Sequence, residues 1–253
     1  MLWVEIAFLV VLMVIFPVQS ARGFPKLLRE IAEGHRNARF PGYRETIIWE
    51  WALLAAALGI WFAGGRSLAD LGFSRPEGWG FWVSAGLTLA AIVVLTLQVR
   101  QVGRSEEQQH ELRAQMGGPL AFLPRAPHEK PLFNAVCVTA GVCEEILYRG
   151  WFLAVVGGWI GLPAAAVVGV IGFGALHLYA GKSVALRAGM LGAFFTVLYL
   201  VSGSLWVPIV LHIFVDWNTG SLSLVAFGGR SEPDASASPG PEDVPPSGSE
   251  GVS

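Results

Sequence analysis

Apolar residues fall in seven long runs, at roughly 2–19, 46–64, 79–99, 132–157, 162–179, 184–202 and 204–226. A bilayer crossing takes about 20 mostly apolar residues, so each run predicts a membrane helix. Punctuation supports the division. Thr46 is placed to cap the second helix, Pro163 suits a first helical turn, and Gly203-Ser204 opens the last. The first run resembles a signal peptide only loosely, at Val18-Gln19-Ser20-Ala21. It begins without Lys or Arg, carries Glu5, and therefore reads as an uncleaved anchor. No sequence repeat and no inverted-repeat signal of a transporter is present.

The polar stretches give a direction. Arg22, Lys26, Arg29, Arg36, Arg39 and Arg44 fill the first loop, and Arg100, Arg104, Arg113, Arg125 and Lys130 the third. Lys182, Arg187 and Arg230 fall on the same side, leaving Arg66 and Arg75 on the other. The positive-inside rule then predicts an external N-terminus and a cytoplasmic C-terminus, which an odd number of helices also requires. The third loop, 100–131, reads as a solvated charged loop, with a weak amphipathic pattern around Ser105–Met116. Residues 229–253, rich in Ser, Pro, Gly, Glu and Asp, read as a disordered cytoplasmic tail.

Composition agrees with this picture. The 253 residues are 53% hydrophobic and only 14% charged, with a mean hydropathy of +0.54. A soluble domain carries about a quarter charged residues. The fold class expected is all-α, a polytopic membrane bundle of seven helices, with eight as the alternative. A net charge of -2 offers no basic field for nucleic acid. Cys137 and Cys143 sit in one apolar run without metal or redox spacing, as small core residues do.

Against that apolar background the ionisable residues stand out, because a charge at the bilayer centre costs about 2.5–3.5 kcal/mol on insertion scales. Glu5 lies near a helix end, and Glu50 in the first turn expected for its helix; both read as structural. Glu144, Glu145, Arg149, His177, His212 and Asp216 fall well inside the fourth, fifth and seventh runs. Glu145 and Arg149 are spaced i,i+4, on one helix face, where each neutralises the other. Glu144 points about 100° away and gains no partner from its own helix. Such a carboxyl is suited to taking and giving a proton. His177 shares a face with Phe173, and His212 with Asp216; Asn218 is a reserve candidate on another face.

Three patches in order, Glu144-Glu145-x-x-x-Arg149, Phe173-x-x-x-His177 and His212-x-x-x-Asp216, resemble the CPBP (Abi) family of intramembrane proteases. That family includes the type II CAAX prenyl endopeptidases and bacteriocin-processing proteins. The resemblance covers roughly 130–220, which divides the chain into N-terminal spans and loops (1–129), a catalytic membrane core (130–228) and the tail (229–253). It implies that Glu144, assisted by His177, activates a water for attack on a peptide carbonyl. His212 and Asp216 would stabilise the oxyanion, while Glu145, Arg149 and Phe173 support the geometry. The eukaryotic prenyl-protein enzymes have Asn at the last position. An ionised Asp216 cannot donate to an oxyanion, so Asp216 is either a protonated donor or an anion that orients His212.

The implied enzyme is a cofactor-free, glutamate-dependent endopeptidase of a bacterial-type cytoplasmic membrane, with a peptide or membrane-protein substrate and the lipid bilayer as its surroundings. Glu144, His177, His212 and Asp216 are also zinc-ligand types, although no His-Glu-x-x-His helix is present. A metalloprotease is therefore the alternative enzyme. A non-catalytic partner with the same fold, for bacteriocin immunity or sensor modulation, is the alternative from another class. Oligomeric state and the identity of the substrate leave no signature in the sequence.

Overall fold

A computed structural model describes residues 1–35, 37–73, 77–116 and 118–228. Arg36, Arg75, Arg230 and the tail 229–253 lie outside the described residues, so the disorder expected of the tail lies there too. The described chain is helical, without a strand, and has seven helices long and apolar enough to cross a membrane. The spans are α1 (Leu2–Ala32), α2 (Arg39–Ala63), α3 (Gly78–Gly103), α5 (Pro127–Ile160), α6 (Leu162–Ala180), α7 (Lys182–Ser202) and α8 (Trp206–Phe227). The short α4 (Glu106–Gln115) lies between α3 and α5. The protein is a multi-pass membrane protein.

Several helices begin or end away from the apolar runs. α1 continues well past residue 19, because Arg22, Lys26 and Arg29 alternate with apolar residues and leave it an amphipathic face. Its hydrogen bonding widens over Val11–Ile15, just before Pro17, whose missing N–H removes a donor. α2 starts at Arg39, so Thr46 caps nothing and Glu50 lies near the helix middle instead of its first turn. The signal that this beginning lacked is tertiary. Arg39 pairs with Glu129 (Nη1–Oε1 2.9 Å) and donates to the Ala121 carbonyl, and the Tyr43 hydroxyl donates to the Phe122 carbonyl.

The third loop is also more ordered than a solvated loop. Ser105 caps α4 by accepting from the Gln108 N–H (3.3 Å), and Arg113 donates to the Ala226 carbonyl at the end of α8. The first-turn acids Glu106 and Glu107 favour the helix dipole.

Expected punctuation holds elsewhere. Pro163 lies in the first turn of α6. Gly203, in the left-handed region, closes α7, and Ser204 Oγ accepts the Trp206 N–H as α8 begins. α5 and α6 are joined through Gly161 alone, with φ +85°, a turn an L side chain resists.

The loops sort to two ends of the bundle. At one, Glu5 pairs with Arg66 (2.7 Å), and Leu205 N–H donates to the Gly72 carbonyl (3.0 Å). Exposed Trp3, Trp79, Trp82, Trp159 and Trp206 ring that end, as aromatic side chains do at a membrane interface. The other end carries the Arg39–Glu129 pair, His128 against Asn37, and the aromatic contact of Phe24 with Tyr179. Large apolar residues such as Leu87, Ile171, Leu186 and Val197 face outward between the ends, as a lipid-facing belt requires. α5 is central: every residue from Glu145 to Leu153 is buried.

Candidate active site

α5, α6 and α8 place the ionisable residues at the bundle interior. α5 can approach α8 closely because Gly141 has no side chain. A Cβ there would meet the Ile213 backbone nitrogen at 2.8 Å. Directly after Glu144-Glu145, the helix takes a π-type turn over Ile146–Phe152, a widening often found at functional sites. The expected i,i+4 pair survives it, with Arg149 Nη1 donating to Glu145 Oε1 at 2.9 Å. Arg149 also donates from Nη2 to the Gly192 carbonyl of α7 (2.9 Å) and lies over the Phe173 ring (4.7 Å). Three helices, α5, α6 and α7, thus meet on one guanidinium. The Phe173 of the Phe-x-x-x-His motif is a support for Arg149 as much as a neighbour of His177.

The sequence left one partner of Glu145 unnamed. His212 Nδ1 lies 2.8 Å from Glu145 Oε1, across 67 residues of chain. A carboxylate held by Arg149 only accepts hydrogen bonds, so Nδ1 carries the proton and donates. In the neutral ring Nε2 is then a free acceptor. It faces Glu144 Oε2 at 3.8 Å and Asp216 Oδ2 at 3.6 Å. The Phe195 ring stacks on His212 at 4.9 Å and fixes its plane. Glu145 is sealed at 0% exposure, whereas Glu144 keeps 20% and Asp216 34%. Adjacent carboxyls therefore have separate environments: one is locked to two cations or donors, the other is reachable.

His177 ends the regular part of α6, where its Nδ1 lies 2.8 Å from the Phe173 carbonyl oxygen. A carbonyl accepts only, so Nδ1–H donates there and Nε2 is again left as an acceptor. His177 and Asp216 are within electrostatic reach of one another. Glu144, His177, His212 and Asp216 are brought to one region. Asn218, the reserve candidate, is buried on α8, and its Oδ1 has no hydrogen-bond partner among the described residues.

One residue that reads as structural in the sequence reaches this region. Glu50 is buried on α2 and interacts electrostatically with Glu144 and Asp216. Only the true start of α2 reveals its depth. Glu5 keeps its structural reading through Arg66. Cys137 and Cys143 are free and buried. Among the described residues, no three His, Cys, Asp or Glu side chains are grouped to hold a metal ion.

No curated protein and no solved structure matches the chain. A family model does: residues 127–218, the stretch holding all three motifs, are similar to the family described as type II CAAX prenyl endopeptidase Rce1-like.

Proposed function

We propose that the protein is an intramembrane endopeptidase in which Glu144 activates water for peptide-bond hydrolysis. The observation that carries this reading is the convergence on His212. Glu145 holds Nδ1, while the reachable carboxyls Glu144 and Asp216 flank Nε2 within 4 Å. The Rce1-like match over 127–218 supports a protease and a membrane substrate.

In this reaction Glu144 takes a proton from water as the water oxygen attacks the peptide carbonyl carbon. The oxyanion that forms is stabilised by Asp216 as a protonated donor, with His212 as a second donor when Nε2 is also protonated. Glu144 returns the proton to the leaving nitrogen, and the products are a carboxylic acid and an amine. His177, with Nε2 free, assists Glu144 as an acceptor. Burial excludes bulk water and strengthens each of these contacts.

The reaction needs no metal in this proposal, because Glu144 itself is the base that deprotonates the water. The membrane is a bacterial-type cytoplasmic membrane, with the N-terminus outside and the C-terminus in the cytoplasm.

The test uses the full chain in lipid vesicles and a quenched-fluorescence peptide ending in a farnesylated Cys-aliphatic-aliphatic-X sequence. The same peptide without the farnesyl group serves beside it. Cleavage by the wild type, its loss in Glu144→Gln, and persistence in strong chelator are expected. Activity lost in chelator and restored by zinc would establish the metalloprotease instead. Preference for the farnesylated peptide would identify prenylated CAAX substrates.

A further inference from the structure

The second half of α1 is a long amphipathic stretch that carries none of the three motifs. At about 1.5 Å per residue, the 31 residues of α1 span roughly 46 Å, whereas the hydrocarbon core is about 30 Å thick. The last turns of α1 therefore run past the hydrocarbon, to the end of the bundle where α6 finishes. Phe24, Leu27, Leu28 and Ile31 are half-buried at helical spacing, while Arg22, Lys26 and Arg29 are exposed on the opposite side. The line of approach is set within the membrane, where Met13 occupies the space that a side chain at Gly172 of α6 would fill.

Phe24 meets this end of the bundle through two aromatic rings. Its ring lies 4.9 Å from the Tyr179 ring at 74°, and 6.3 Å from the Phe122 ring at 61°. Tyr179 in turn stacks on His177, with ring centroids 6.5 Å apart and planes 20° from parallel. Phe173 is a second ring against His177, at 5.1 Å. His177 needs such neighbours. It opens a single tight turn, His177–Ala180, that ends at Gly181 with φ +103°, so the regular helix does not continue beyond it. Among the described residues, one hydrogen bond ties the imidazole, from Nδ1 to the Phe173 carbonyl at 2.8 Å. That bond fixes where Nδ1 lies but not the tilt of the ring about it. The flanking rings fix the tilt.

We propose that Phe24 is a positioning residue of the site: by holding Tyr179 from α1, it keeps the His177 imidazole in one orientation, with Nδ1 on the Phe173 carbonyl and Nε2 left as the acceptor. An aromatic pair of this kind favours one arrangement by roughly 2–10-fold, and Phe24–Tyr179 and Tyr179–His177 act in series as one unit. The part played in turnover rests on His177 assisting Glu144; the control of the ring does not.

Solid-state 15N spectra of the full chain in lipid vesicles, with the histidine rings labelled, test that control without any substrate. A His177→Gln variant assigns the signal. At alkaline pH the wild type should show one neutral His177 form, protonated at Nδ1. Phe24→Leu keeps apolar volume but loses the ring edge, so a second or broadened His177 signal is expected. Tyr179→Leu should give the same change, and the double variant no more than either alone. Tyr179→Phe and Phe24→Tyr keep the rings and should match wild type. An unchanged His177 signal in Phe24→Leu would overturn the proposal, as would Tyr179→Phe behaving like Tyr179→Leu. Where Phe24→Leu fails to fold, Phe24→Met takes its place under the same criteria.

On the farnesylated peptide, Phe24→Leu should lower kcat by about 2–10-fold with KM unchanged. A raised KM at unchanged kcat would mean that Phe24 touches the substrate, and would overturn the positioning role. A wild type inactive on both peptides would sink the protease reading, and the spectra would still decide Phe24.

Discussion

Glu144 and Glu145 differ by one position in the chain and by nearly everything else in the fold. Glu145 is closed off by Arg149 and His212; Glu144 keeps an open edge. Glu144→Gln should therefore abolish cleavage while the protein still inserts and melts near the wild-type temperature, since the amide keeps the shape but cannot accept the proton. Arg149→Ala should lower yield and thermal stability, by about 3–5 kcal/mol, because a buried carboxylate loses its cation. Asp216 poses a finer question. With Nδ1 of His212 already fixed by Glu145, the tautomer needs no help from Asp216. Asp216→Asn should then keep most of the activity, and Asp216→Ala should cost about 10²–10³ in rate, as for a removed oxyanion donor. Equal damage by Asn and Ala, measured on one peptide, would return the orienting role to Asp216. The Glu145–Arg149 pair was legible from its spacing, whereas the Glu145–His212 bond was not, since no local pattern joins residues 67 positions apart.

At the scale of elements, the α5–α8 contact sets the distance between the acids and the imidazole. Gly141→Ala would push Ile213 and its backbone outward, because a Cβ at 2.8 Å from a backbone nitrogen has no flexible neighbour to displace. Loss of most activity together with a lower melting temperature is the expected result, and a variant as active as wild type would show that the helices can slide. The turn before α3 offers a pH test outside the membrane. Asp70 accepts from the Ser67 N–H and hydroxyl, both at 2.7 Å, and these bonds hold its carboxyl below the ordinary aspartate range. A depressed carboxyl stabilises the fold above the unfolded value, about 3.9, and that contribution fades as pH falls through the folded value. Asp70→Asn should melt slightly earlier than wild type at pH 7 and no earlier at pH 2. The start of α2 shows why element boundaries escaped the sequence. Residues 39–45 are polar enough to read as loop, yet Arg39 and Tyr43 find their partners in a segment some eighty residues later.

For the whole molecule, the sorting of loops to two ends gives the charge bias a physical meaning. Arg39, Arg113, Arg125, Lys130 and Lys182 gather at the end opposite the N-terminus, where α8 also finishes. The orientation proposed puts that end in the cytoplasm. A reporter fused after Ser253 should be active in the cytoplasm and silent outside; the reverse would overturn the orientation.

Hydropathy alone determined the seven spans and their order, because each helix must satisfy its backbone within a lipid and so needs its own unbroken apolar run. The motif spacings likewise determined which ionisable residues share a helix face, a local matter of 3.6 residues per turn. What required the tertiary structure was everything that crosses between helices: the grip of Glu145 on His212, Gly192 receiving Arg149, and Glu50 reaching the neighbourhood of Glu144. Those contacts depend on the depth and rotation at which helices pack. Depth and rotation follow from close approaches such as Gly141 on Ile213, which hydrophobic periodicity cannot encode when a helix is buried on every side.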